Sequence, residues 1–201
     1  MFVQIIRAKV SDPGAVDGTF NRWSKELAPG AKGWLGTTGG VTDDGQLFIM
    51  VRFDSPEAAR ANSERPEQDR FWSETSKQFD GEAIFQESTD VTVDAVGDLD
   101  SAGFVQVMTG QVSDPDRAKQ IMAEQPDMRA LRPDVLGNVS IGHEDGKWTM
   151  VIYFTSEAQA REGEAKQMPP EALEAMEQMQ SLSVGQPEFL DLRTPWLASP
   201  E

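Results

Sequence analysis

The stretch FVQIIRAKVSDP, from Phe2 to Pro13, returns as FVQVMTGQVSDP from Phe104 to Pro115. The offset is 104 − 2 = 102 residues, and seven of the twelve positions are identical. A chain that repeats a strand-like segment together with the cap that follows it folds as two copies of one module. This repetition limits the possible architectures more than any other feature of the sequence.

Each copy spells out the same order of elements. In the first, Phe2 to Val10 is rich in Val and Ile and reads as a strand. Ser11 or Asp12 then serves as a helix N-cap, with Pro13 where a missing N–H costs nothing. Val16, Phe20, Trp23 and Leu27 recur at helical spacing, and Pro29-Gly30 ends that helix. GWLGTTGGVT and QLFIMVRF flank Asp44-Gly45, a dipeptide suited to a tight hairpin. Ser55-Pro56 opens a second helix, Pro66 interrupts it, and Phe71, Thr75 and Phe79 continue in register. Gly81 closes the helix, and EAIFQESTDVTV reads as a single fourth strand.

The second copy follows suit: Leu136-Gly137 matches Leu35-Gly36 at an offset of 136 − 35 = 101, as Asp145-Gly146 matches the hairpin turn and Phe154 matches Phe53. Pro169-Pro170 again breaks the second helix. The expected division is a first repeat over 1–93, a linker over 94–103, a second repeat over 104–193 and a tail over 194–201. The linker DAVGDLDSAG is acidic and made of small residues.

A β-α-β-β-α-β module folds as a four-stranded antiparallel sheet with both helices on one face. The fold class is therefore α+β: two tandem ferredoxin-like repeats packed sheet to sheet, an internal pseudo-dimer in which each copy covers the other's bare face. Leu47, Ile49, Val51 and Phe53 align with Trp148, Met150, Ile152 and Phe154, an apolar face suited to helices. The alternate face is more mixed, with Phe48, Met50 and Arg52 in one copy and Thr149, Val151 and Tyr153 in the other. The first and third strands are expected to be neighbours. Arg7 and Lys9 then share a face with Arg52, while Gln4 shares the other with Phe2 and Ile6.

The formal net charge of −16 argues against nucleic acid and against an anionic membrane surface. No run approaches the roughly 18 apolar residues a membrane span needs. The chain has no cysteine, which removes thiolate chemistry and thiolate metal sites and agrees with a reducing, cytoplasmic setting.

The strand order, FDSPEAAR at the start of the second helix and RPEQDRFW within it resemble the dimeric α+β barrel superfamily, specifically its antibiotic-biosynthesis monooxygenase-like members. The resemblance covers both halves. It implies a ligand cavity between helices and sheet, and relatives that include cofactor-free oxygenases of phenolic substrates, haem-binding and haem-degrading enzymes, and proteins with no assigned reaction. It assigns Trp72 to the cavity wall and gives Gln4 and its counterpart Gln106 a substrate-orienting role, although glutamine stands where asparagine is usual.

His143, the only histidine, sits beside a turn rather than on the second helix, so haem ligation and a zinc site are not expected. No cofactor and no metal are therefore assigned. Ligand-binding candidates are Gln4, Arg52, Trp72, Gln106 and Tyr153; no catalytic residue is assigned. A buried arginine without a counter-charge is costly, so Arg7 and Arg52 need an acid nearby, with Glu87 and Asp191 as candidates. Met176 and Met179 replace tryptophan in the second copy, so the two cavities are not expected to be equivalent.

Two readings follow. One is a barrel that binds a small apolar or aromatic molecule without catalysis, favoured by the shortage of acid–base groups. The other is a cofactor-independent monooxygenase of a phenolic or polyketide-like substrate, with Trp72 stacking, Gln4 orienting and Arg52 supplying charge. In both, the chain is a pseudo-dimeric monomer with room for a further homodimer.

Overall fold

The computed structural model describes residues 1–200. The first repeat contains β1 (Phe2–Lys9), α1 (Pro13–Glu26), β2 (Trp34–Val41), β3 (Gln46–Phe53), α2 (Pro56–Ser63), α3 (Pro66–Thr75) and β4 (Ile84–Ser88). β5 (Val91–Ala95) follows. The second repeat contains β6 (Phe104–Gln111), α4 (Pro115–Glu124), β7 (Val135–Gly142), β8 (Lys147–Phe154), α5 (Glu157–Glu164), α6 (Pro170–Leu182) and β9 (Glu188–Leu192), and β10 (Trp196–Ala198) ends the chain. Among the described residues no helix is long and apolar enough to cross a membrane.

Local chemistry accounts for the helix starts. Asp12 is the N-cap of α1 and accepts hydrogen bonds from the Gly14 and Ala15 amides at 3.1 and 3.3 Å. Asp114 does the same for α4 through the Arg117 amide, and Ser55 and Ser156 cap α2 and α5. Pro66 and Pro170 each restart a helix at its first position, where no N–H is needed.

Both sheets are antiparallel and five-stranded, in the orders β10-β2-β3-β1-β4 and β5-β7-β8-β6-β9. β1 pairs with β3 in the register Gln4↔Val51 and Val3↔Arg52, and β6 pairs with β8 as Gln106↔Ile152 and Val105↔Tyr153. Each sheet thus has the four strands of one repeat and a fifth at its edge.

The fifth strands depart from expectation. EAIFQESTDVTV does not form one strand: β4 pairs with β1, whereas β5 joins the second sheet beside β7. The break falls at Ser88–Asp90, where the Asp90 amide donates to Ser88 Oγ at 3.0 Å, a side-chain turn that the strand-forming composition around it conceals. The segment expected as a tail likewise holds β10, whose Trp196 faces Gly39 on β2. Two compact units result, one of Met1–Val91 with the segment from Leu192 onward and one of Thr92–Asp191.

In the first unit, Phe2, Trp23, Leu27, Trp34, Phe53 and Phe71 form the core between helices and sheet. A second cluster there joins Val10, Val16, Leu47 and Trp196. The opposite face is buried at least as deeply, with Val3, Phe48 and Met50 at 0% exposure. Ile49 and Val51, on the helix face, are only partly buried because a cavity lies over them.

Candidate functional site

The cavity has a volume of about 90 Å³ and lies between α1, α3 and the helix face of the first sheet. Its floor is the row that β-strand alternation directs toward the helices: Gln4 and Ile6 from β1, Ile49, Val51 and Phe53 from β3, and Thr37 from β2. The roof carries Phe20 and Trp23 from α1 and Phe71, Trp72 and Thr75 from α3. Trp196 of β10 supplies a further wall. It stacks on Phe20 with ring centroids 5.5 Å apart and planes 20° apart.

Among the described residues no charged side chain lines this space. Several of its polar groups are engaged in hydrogen bonds within the unit. Trp23 Nε1 donates to Gln68 Oε1 at 2.9 Å, Trp34 Nε1 to Thr37 Oγ1 at 3.0 Å, and Thr75 Oγ1 to the Phe71 carbonyl at 2.8 Å. Asn62 Oδ1 accepts from Arg65 Nη1 at 2.8 Å. The Trp23 and Trp34 bonds hold aromatic rings in place, and donors and acceptors satisfied in this way leave the interior chiefly apolar.

The residues singled out from sequence are distributed over two faces and two units. Gln4 lines the cavity, with its Nε2 donating to Glu87 Oε1 at 2.9 Å. Trp72 also lines it, braced edge-on by Phe79 and Phe85 at centroid distances of 5.7 and 5.2 Å. Arg52 does not join them. It registers with Val3 while Gln4 registers with Val51, so alternation turns Arg52 to the other face of the sheet. The grouping of Trp72, Gln4 and Arg52 around one ligand does not occur in the structure.

In the second unit Gln106 lies on the helix face, and its Nε2 donates to Asp191 Oδ1 at 2.9 Å. Asp191 also pairs with Arg161, whose guanidinium sits 5.2 Å from the centre of the Phe104 ring. Burial pushes the Arg161 pKa down, but its bond to Glu164 and the charges of Asp191 and Glu164 together hold it above the usual arginine value. Tyr153 takes the position of Arg52 and is wholly buried, on the face away from Gln106. His143 is half-buried, with Nε2 2.9 Å from Thr149 Oγ1.

The helices above the two sheets differ. α3 buries Phe71 and Thr75, whereas α6 buries no residue and leaves Leu173 and Met176 exposed. Trp23, Gln68 and Trp196 belong to the cavity but were not expected to. Trp196 had a signal in the sequence: the apolar triplet Trp-Leu-Ala stands alone in the polar segment RTPWLASPE.

No protein-family model matches the sequence, and no curated protein matches it. Solved structures do. A candidate monooxygenase from Lactobacillus acidophilus NCFM superposes with a TM-score of 0.75 at 13% identity, over 98% of this chain and 95% of that one. A second candidate monooxygenase, from Fusobacterium nucleatum subsp. nucleatum ATCC 25586, gives 0.79 at 11% identity, over 98% and 94%. An anthrone oxidase-like protein gives 0.70 at 12% identity, over 98% and 92%. These matches run through both repeats, so the chain shares its tandemly duplicated α+β fold with these three proteins over nearly its whole length.

Proposed function

We propose that the chain binds a small apolar or aromatic molecule in the helix–sheet cavity of its first unit. The observation that carries this reading is the cavity wall: Phe20, Trp23, Phe71, Trp72 and Trp196 surround the space, and no ionised group of the described residues enters it. Aromatic rings enclosing an apolar space bind flat ligands by burial and by offset or edge contacts, each worth about 0.5–1.5 kcal/mol beyond area alone. With no acid or base on the wall, the site is better suited to holding a molecule than to transferring its protons.

A second reading is a cofactor-independent oxygenase of an electron-rich phenol. It is favoured by the full-length fold likeness to the anthrone oxidase-like protein. In that chemistry the substrate supplies the electrons, and the protein orients it and keeps water out. Gln4 and Trp72 are the wall residues that would orient and stack such a ring.

The test uses 2-naphthol as probe and follows tryptophan fluorescence. Saturable quenching is expected in the wild type and its loss in Val51→Phe, which places a ring in the cavity. Equal quenching in both proteins removes the assignment. Oxygen uptake with anthrone as substrate then separates the two readings: none supports binding alone, and uptake abolished by Val51→Phe supports the oxygenase.

A further inference from the structure

Arg52 is 9% exposed, and its Nε makes no hydrogen bond. Among the described residues no acid pairs with its guanidinium, since Glu87 is engaged by Gln4 and Asp191 by Gln106 and Arg161. A buried charge without a counter-charge is strongly unfavourable, and an unsatisfied buried donor calls for a partner that the described residues do not supply. We propose that Arg52, Gly36 and Ser199 form a carboxylate-binding site at the β10 edge of the first sheet, on the face away from the aromatic cavity.

The local backbone is shaped for it. Gly36 lies opposite Arg52 in the β2–β3 register, at a bulge between Trp34 and Gly36, with φ of +141°. A Cβ there would come within 2.5 Å of Arg52 Nη2, so only glycine lets the guanidinium lie across β2. The same point is 3.0 Å from Ser199 Oγ. Arg52 Nη2 and Ser199 Oγ thus lie close to each other beside Gly36 at the sheet edge, next to the Ala198 carbonyl oxygen 3.1 Å from that same point, and Ser199 is itself exposed, which leaves a route in from solvent.

The second unit provides an internal control. Tyr153 stands where Arg52 stands, Gly137 where Gly36 stands, and the Leu99 side chain fills the space over Gly137, 2.9 Å from a Cβ built there. That position is neutral and filled. The fold therefore does not need a cation at this point of the sheet, and Arg52 answers to something particular to the first unit.

The chemistry selects a planar monoanion. A guanidinium presents parallel N–H donors that match the two oxygens of a carboxylate, and the serine hydroxyl adds one more bond. β2 and β10 bring no second cation, so a dianionic phosphate is not matched.

The test is acetate, which has no ring to enter the aromatic cavity, titrated into the full chain at ionic strength held constant with sodium chloride. The Arg52 Nε–H resonance is expected to move saturably in the millimolar range, with a rise in Tm that chloride does not give. Arg52→Met should abolish the Tm response, and Ser199→Ala should weaken binding several-fold. Val51→Phe should leave it intact, which separates this site from the cavity. An Nε–H resonance that ignores acetate overturns the proposal. So does an acetate Tm response unchanged in Arg52→Met or, should that variant not fold, affinity unchanged in Ser199→Ala.

Discussion

Trp196 Nε1 donates to Asp17 Oδ1 at 2.6 Å, joining the last strand to the first helix across 179 residues of sequence. The bond orients the indole that stacks on Phe20, and so fixes one wall of the cavity. Trp196→Ala is expected to destabilise the protein by about 3–5 kcal/mol through loss of the ring and the void it leaves. Asp17→Ala removes only the acceptor and should cost about 1–3 kcal/mol. Urea unfolding measures both, and a Trp196→Ala loss no larger than that of a surface substitution would contradict the packing described.

The Gln106–Asp191 bond, with Arg161 on the same carboxylate, is expected to behave as a coupled unit. Asp191→Ala leaves the buried Gln106 amide without its acceptor, at a cost of about 1–3 kcal/mol. A double-mutant cycle between Gln106→Ala and Asp191→Ala should give a coupling of about 0.5–3 kcal/mol. Simple additivity would show that the two groups do not act together.

Asp134 is 5% exposed and is held by Arg132, whose Nη2 lies 2.8 Å from Oδ2. Burial pushes its pKa upward, but the Arg132 hydrogen bonds, its own backbone amide and the Arg132 charge outweigh that and leave it below the ordinary carboxylate value. A depressed folded pKa contributes stability that is present above the unfolded value of 3.8 and is lost as pH falls through the folded pKa. Wild type should therefore lose more stability than Asp134→Asn below about pH 4. Parallel stability curves for the two proteins over that range would refute it.

The two second helices are expected to respond differently to substitution. Phe71→Ala in α3 should cost about 3–5 kcal/mol, since Phe71 belongs to the first-unit core. Met176→Lys in α6 should stay within about 0.5 kcal/mol of wild type, because Met176 is 50% exposed. Chemical denaturation of the pair checks the asymmetry.

The sequence by itself determined the duplicated strand–helix order. Repeated SDP and Ser-Pro caps, Asp-Gly turns and period-two apolar runs are signals between near neighbours, and Asp12, Ser55, β1 and β3 take up the roles their surroundings dictate. Alternation also placed Gln4 and Arg52 on opposite faces. Only the tertiary structure decided that β5 and β10 leave their own repeats to complete the edges of sheets, because strand pairing satisfies backbone groups wherever an open edge lies close in space. That choice carries Trp196 to the cavity and Ser199 to Arg52. Which group meets each acid was equally non-local: Glu87 went to Gln4, Asp191 to Gln106 and Arg161, and Arg52 was left with a buried charge that the described residues do not answer.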